Sequence, residues 1–418
     1  MKLAVVGAGS TYTPELVDGL IRMRELLPLD ELALLDSDPR RLEILTGMTR
    51  RMLEHAGYPL ALVPTESLDE AVEGAAAVLV QLRVGGQAAR IVDETLPLRC
   101  GCIGQETTGF GGLAKALRTV PVVLDIADRV RELAPEAWIV DFTNPVGIVT
   151  RALLDAGHRA VGLCSAAMVF QRHFAHVLGV ASESVELDHV GLNHLTWELG
   201  VRVAGRDVLR ALTTDHVERV APASGLPAEL VRRLGVVPSY YLHYFWDHDE
   251  LVEHAKTHPS RAEEVQAIER ELLEIYADES VHEKPELLGR RGGAFYSEAA
   301  VELLASLLGT SASERHVVNL RNNGTVDFLP DDAVVEVPAQ VAEGRIEPVP
   351  VPSLGPEYRG LVAHVSAYED LALLAALHGG RERVFRALLA HPLVGQAGQA
   401  DTLTDLMIGA NRGYLAWA

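Results

Sequence analysis

A cysteine and a histidine thirty residues apart introduce the chemistry of this chain. Cys164 stands at the end of the apolar run 160–163, and His194 closes the GLNH motif after a second apolar run. A thiolate and an imidazole, each just past a strand, are donors that together can hold one divalent metal ion. The other two cysteines, Cys100 and Cys102, are spaced C-x-C, too tight for the common zinc half-site, and read as buried or loop thiols. They open the glycine-rich stretch CGCIGQETTGFGG, 100–112, which fits either close backbone approach to a ligand or a surface loop.

A second constellation lies at the N-terminus. A short apolar strand, 2–6, runs into GAGSTYTPEL. Gly7 and Gly9 supply the first two positions of a G-x-G turn, and Tyr12 stands where the dinucleotide fingerprint has its third glycine. Thr13 is placed to cap a helix over 14–26 with Pro14 as its first residue. Strand, turn and helix start, with Gly7, Gly9, Ser10 and Thr11 in the turn, make a phosphate cradle. The next strand, 32–35, ends in Asp36, an acid placed to bind the ribose hydroxyls of NAD rather than the phosphate of NADP.

The elements that must position these groups follow a βα rhythm. Helix 39–56, strands 60–63 and 75–82, a long helix ending over 121–133, and strands 138–142 and 159–163 predict a doubly wound, largely parallel sheet. Ligands in such sheets bind beyond the carboxyl ends of the strands. Polar groups gather there: Arg83 and Arg90 around Gly85-Gly86, then Thr143-Asn144-Pro145, then Cys164. After residue 163 the rhythm loosens. A helix over 168–178, strands 185–190 and 195–203, and helices 208–220 and 261–276 predict a mixed or antiparallel α+β region, finished by helices 369–377 and 383–389. The expected architecture is α/β: a Rossmann-type domain over 1–165, then an α+β domain over 166–418, in the lactate/malate dehydrogenase manner. Arg261 opens its helix where the dipole favours an acid, so a bound anion would explain it. The aromatic cluster VPSYYLHYFW, 237–246, reads as packing.

Composition narrows the partners. The chain has 418 residues, 48% of them hydrophobic, and a net charge of −21, which argues against nucleic acid and against anionic membrane surfaces. Three cysteines suit a reducing compartment. The start MKLAVVGAG leads straight into a strand, and no run suggests a membrane span, so a cytoplasmic protein is expected.

The ordered set VGAGSTYTPEL, RVGG, GCIGQETTGFGG, FTNPVG, VGLC, GLNH, PSYYLHYF, HPSRAEEV, RRGG and RNNG resembles the family 4 glycoside hydrolases, and most closely their 6-phospho-β-glucosidase branch. The similarity covers nearly the whole chain. It implies NAD and a divalent metal, usually Mn²⁺, as cofactors. It also implies a route of oxidation at sugar carbon 3, elimination, water addition and reduction, which replaces the usual two-carboxylate mechanism. By resemblance, Cys164 and His194 hold the metal and Tyr241 is the general base. Arg90, Asn144 and Arg261 match substrate-contacting positions, and Asn193 is placed with them. The implied partner is a small phosphorylated sugar, and the implied assembly a homo-oligomer, dimer or tetramer. Ser165 stands where relatives have Asn or Asp; Asp there serves α-specific members as an acid. Serine therefore weakens the α reading and leaves leaving-group protonation unassigned. His243 and Phe245 also depart from the family pattern. α-Galactosidase or α-glucuronidase specificity, or a 2-hydroxyacid dehydrogenase, are the alternatives.

Overall fold

The computed structural model describes residues 1–292 and 295–418. Gly293 of the RRGG motif lies outside the described residues. The strands are β1 Lys2–Val6, β2 Glu31–Leu35, β3 Ala61–Thr65, β4 Ala77–Val80, β5 Trp138–Asp141, β6 Ala160–Gly162, β7 Val185–Leu192, β8 Leu195–Val203, β9 Arg206–Asp207, β10 Val237–Pro238, β11 Glu314–Arg321, β12 Val334–Ala342 and β13 Arg345–Pro348. The parallel half of the sheet runs β3-β2-β1-β4-β5-β6. That is the dinucleotide-fold order, with its crevice between β1 and β4.

The second half does not form a separate sheet. β11 pairs antiparallel with β6 at Asn319 and Gly162, and β12, β7, β8 and β10 continue outward from there. Both cores mix the two halves. On one side Leu3, Leu16 and Leu34 pack with Leu272 and Leu304; on the other Ala114 and Val149 share a cluster with Trp197 and Val362. Each such fully buried leucine contributes roughly 1.5–3 kcal/mol.

Several elements depart from the sequence reading. The first helix is Thr13–Arg22, capped by the Tyr12 backbone; the Thr13 hydroxyl instead donates to Ala8 O at 2.7 Å. The stretch 208–220 breaks into Leu209–Thr213 and Val217–Ser224. Thr213 and Thr214 hydroxyls bond back to the Leu209 and Arg210 carbonyls there, offering the backbone a local alternative to helix. The glycine-rich stretch ends as a loop at Thr108, since Gly109 opens the helix Gly109–Leu133. The last long helix is Pro356–His378, far beyond 369–377. Against expectation, it is long and apolar enough to cross a membrane. Tyr358, Val362, Val365 and Tyr368 are buried, and it packs on the helices Gly109–Leu133 and Arg381–Ala390.

Candidate active site

The turn after β1 folds as the G-x-G pattern requires. Gly7 has φ +91°, and a Cβ there would meet the Gln81 backbone at 3.0 Å. Gly9 lies against Asp36: its amide donates to Asp36 Oδ2 at 2.7 Å. Asp36 Oδ1 accepts from the Asp38 amide at 2.9 Å. The acid thus braces the turn, and its half-exposed carboxylate keeps lone pairs for a ribose hydroxyl. Ser10 is half-buried, and the Thr11 hydroxyl is buried with no protein partner. A turn with glycine at its two close-approach positions, an acid at the next strand end and an orphaned hydroxyl fit a dinucleotide.

Asn193 and His194 form the tip of the β7–β8 hairpin, where Leu192 pairs with Leu195. His194 sits in the left-handed region at φ +66°, uncommon for a residue other than glycine and suited to the tight hairpin tip. Its Nδ1 lies 2.8 Å from Thr107 Oγ1. The Thr107 hydroxyl donates its one proton to Gln105 Oε1 at 2.7 Å. That oxygen also accepts the Thr107 and Thr108 amides. Thr107 must therefore accept from His194 Nδ1–H, which leaves the lone pair on Nε2. A ring nitrogen pinned as donor with its partner free is the arrangement of metal-binding histidines. Burial lowers the His194 pKa to about 4, against the pull of Glu336 and Glu106, so the ring is neutral and ready to ligate.

Cys164 follows β6 and precedes the helix Ala166–Leu178. Burial, reinforced by the Glu336 charge, pushes its thiol up to about 12; the Ala166 amide, Asn193 side chain and Ser165 amide favour the thiolate. Asn193 links this thiol to the interior, donating through Nδ2 to Glu336 Oε2 at 2.6 Å. Glu336 also accepts from Asn319 and from His189, which in turn reaches Glu198 Oε1 at 2.6 Å. Cys164 and His194 supply two donors. Among the described residues, the one group of three metal-type donors within reach of a single ion is the exposed His55, His282 and Glu283. A thiolate and an imidazole suit a divalent ion that takes its remaining ligands from water or substrate.

Tyr241 stacks on His194, ring centroids 3.8 Å apart and planes 7° from parallel. It stands in the turn Tyr240–Leu242, capped by Ser239, and the short β10 before it pairs with β8. The aromatic cluster read as packing thus supplies a cavity residue. Burial pushes the Tyr241 phenol well above its ordinary value; Cys164, Tyr244 and Glu106 add to that, and the Arg90 guanidinium opposes it.

Arg90 is buried in the helix Gly86–Thr95, held by Glu94 at 2.7 Å and facing Glu106 at 3.4 Å. Glu106 is a residue that sequence reasoning quoted inside GQETTG without assigning it. Burial alone would raise its pKa; the cations Arg83, Lys115 and Arg90 outweigh that and hold it well below the carboxylate range. Thr107 and Glu336 were also missed, because only the fold brings 107, 194 and 336 together. Asn144 follows β5, and its buried Oδ1 has no protein partner, a vacancy a ligand donor would fill.

Thr107, Thr108, Asn193, His194, Tyr241 and Glu369, among others, line a small cavity of about 20 Å³. Arg261 is not brought to it. Its exposed guanidinium bonds Glu264 and the carbonyls of Arg290 and Arg291. The neighbouring Ala262 amide does reach Glu94, the partner of Arg90, at 2.7 Å.

The sheet order and the β1 turn define an α/β protein of the dehydrogenase-like class. A malate dehydrogenase from Salinibacter ruber, 15% identical, shares this fold at TM-score 0.54 over 91% of this chain and 99% of its own. The chain belongs to the family 4 glycosyl hydrolases: that family matches residues 2–180, and its C-terminal domain residues 189–394. It is 37% identical to a probable 6-phospho-β-glucosidase of Bacillus subtilis, over 99% of this chain and 97% of that protein. The Thermotoga maritima 6-phospho-β-glucosidase, solved with manganese, NAD⁺ and glucose 6-phosphate, superposes at TM-score 0.93 and 35% identity, covering 99% of both chains.

Proposed function

We propose that this family 4 enzyme hydrolyses 6-phospho-β-glucosides with NAD and a divalent metal, Mn²⁺ by resemblance. The observation that carries the reading is the pairing of His194, its Nε2 free, with the stacked Tyr241 beside Cys164. Residues 1–165 would form the cofactor domain, with Gly7, Gly9, Ser10, Thr11 and Asp36 around the dinucleotide; residues 166–418 would complete the substrate side. Cys164 and His194 would hold the metal. When bound, NAD⁺ and metal supply a hydride acceptor for sugar carbon 3 and a Lewis acid for its oxygen.

Oxidation at carbon 3 acidifies the carbon 2 proton, and Tyr241 takes that proton as general base. A phenol ordinarily titrates near pH 10 and burial raises Tyr241 further, so its phenolate needs cationic support; Arg90 contributes to it, and a bound divalent metal would add to it. Asn144 and Asn193 would orient sugar hydroxyls, and Arg90 with Glu106 would close the polar wall behind them. Arg261 is assigned to the outer, phosphate-bearing end of the substrate. The enzyme would act in the cytoplasm as a dimer or tetramer.

The test is hydrolysis of 4-nitrophenyl 6-phospho-β-glucoside with and without NAD⁺ and Mn²⁺ under reducing conditions. The unphosphorylated glucoside and the α-anomer run alongside. Nitrophenol release that needs both additions and the phosphorylated β-sugar supports the assignment. Release from another sugar keeps the mechanism and moves the substrate; no release from any of them removes the reading.

A further inference from the structure

The chemistry above breaks a glycosidic bond and so needs a proton on the departing oxygen, which neither Tyr241 nor Ser165 supplies. Tyr241 is occupied as base, and a serine hydroxyl is too weak an acid. Among the described residues, Glu369 lines the cavity, and Glu106 and Glu336 act on His194 from behind it. Glu106 is held ionised by Arg83, Lys115 and Arg90. Glu336 is held ionised by His189 and turned toward Asn193 and Asn319. Glu369 is different.

Glu369 projects from the helix Pro356–His378 into the cavity that His194 and Tyr241 line. Among the described residues its carboxyl group has no ion pair or hydrogen bond. The cation acting on it, Arg151, is committed to Asp155, Asp332 and Asp370. Gly147, at the start of the helix Val146–Asp155, opens the way: a Cβ there would lie 3.3 Å from Glu369 Oε1 and 3.6 Å from the Asn193 Cβ. The missing side chain lets the carboxyl group reach toward the hairpin tip that carries Asn193 and His194.

We propose that Glu369 is the general acid that protonates the leaving-group oxygen and takes the proton back from the water that adds. This rests on the glycosidase reading above. In the forward step Tyr241 removes the carbon 2 proton. The electron pair left behind forms the C1–C2 double bond, and the bond from C1 to the aglycone oxygen breaks. The Glu369 proton moves to that oxygen, releasing an alcohol and leaving a carboxylate. In the return step water adds its oxygen to C1 and gives one proton to restore the Glu369 acid, while Tyr241 returns its proton to C2 and the C1–C2 double bond is lost. Protons and electrons balance with no further reagent. Burial, and then the Asp370 charge, raise this carboxyl pKa to about 8 against the pull of Arg151, so the acid form is the resting one at neutral pH.

The experiment compares wild type and Glu369→Gln on 6-phospho-β-glucosides whose leaving groups range from 4-nitrophenol through phenol to methanol, with NAD⁺ and Mn²⁺ present. An acidic nitrophenol leaves without help; phenol and methanol do not. The variant is expected to lose about 10²–10⁴-fold in kcat on the phenyl and methyl substrates and less than about tenfold on the nitrophenyl one. Glu369→Asp, which keeps a carboxyl on a shorter arm, should recover part of the loss on the poor leaving groups. The comparison within one variant is unaffected by how much of it folds. An equal loss across the series, or none, overturns the assignment while leaving the glycosidase reading intact. A wild type inactive on every 6-phospho-β-glucoside overturns both.

Discussion

The Tyr241 ring lies flat on the His194 ring, 3.8 Å between centroids and 7° between planes. The residue assigned to proton abstraction and a residue assigned to the metal thus share one rigid unit. The unit is fixed from below by Thr107 and from the side by the Ser239 cap. Tyr241→Phe keeps the stack and removes only the hydroxyl. It should lower kcat about 10²–10⁴-fold while leaving KM and Mn²⁺ affinity within a few-fold. Steady-state kinetics with a metal titration check this; a matching fall in metal affinity would mean the hydroxyl serves the metal instead.

Metal loading should depend on pH through Cys164. His194, lowered to about 4, is already neutral above pH 5, whereas the unloaded Cys164 thiol, raised to about 12, must lose its proton to ligate. Binding therefore releases one proton, and apparent affinity should rise about tenfold per pH unit between pH 6 and 9. Calorimetric Mn²⁺ titrations in buffers of different ionisation enthalpy read both quantities. A flat affinity would exclude the thiolate. Cys164→Ser should flatten the dependence and weaken binding.

Gly9→Ala tests the cofactor turn. The added methyl would sit 2.7 Å from the Asp36 carboxyl carbon, closer than any relaxed contact, so Asp36 must move and lose the Gly9 amide. The expected result is weaker NAD⁺ binding by at least about tenfold and a stability loss of about 1–3 kcal/mol. NADH fluorescence titration and urea unfolding measure the two. Unchanged affinity would detach Asp36 from cofactor binding.

His189 is the stability prediction. It is fully buried between Glu198 and Glu336. Burial opposes its charge, but the two carboxylates outweigh that and lift its pKa from 6.5 to about 10. Between those values the native state holds more protons than the unfolded chain. The stabilisation is whole below pH 6.5 and is lost as pH rises through 10. His189→Gln leaves two buried carboxylates without their cation and should destabilise by about 3–5 kcal/mol near neutral pH. The gap from wild type should narrow toward pH 10. Denaturant unfolding at pH 6.5, 8 and 9.5 follows it; a gap that widens with pH would reject the charged state of His189.

Much of the scaffold was legible in the residues. The G-x-G turn, the acid ending β2 and the alternation of β-branched runs with helices encode the parallel half, because those signals are local. Cys164 and His194 could be paired from their types and their places just past strands. The second half read less clearly. β6 meets β11 through a single register pair at Asn319, a contact between residues far apart in sequence that no periodicity reports. Helix boundaries slipped where a threonine hydroxyl found a backbone carbonyl, or where Tyr12 rather than Thr13 capped.

By itself, the sequence determined the family and the nucleotide-type turn, and it singled out Cys164, His194 and Tyr241 as candidates. These depend on residue type and nearby order. Only the tertiary structure decided the state of those groups. The free nitrogen of His194 depends on Thr107, the charge on Glu106 on Arg83 and Lys115, and the setting of the Cys164 thiol on Glu336 behind Asn193. It likewise placed Glu369 in the cavity and Arg261 outside it. The physical reason is that protonation and hydrogen-bond direction are set by burial and by charges a few ångströms away, and those neighbours are supplied by distant parts of the chain.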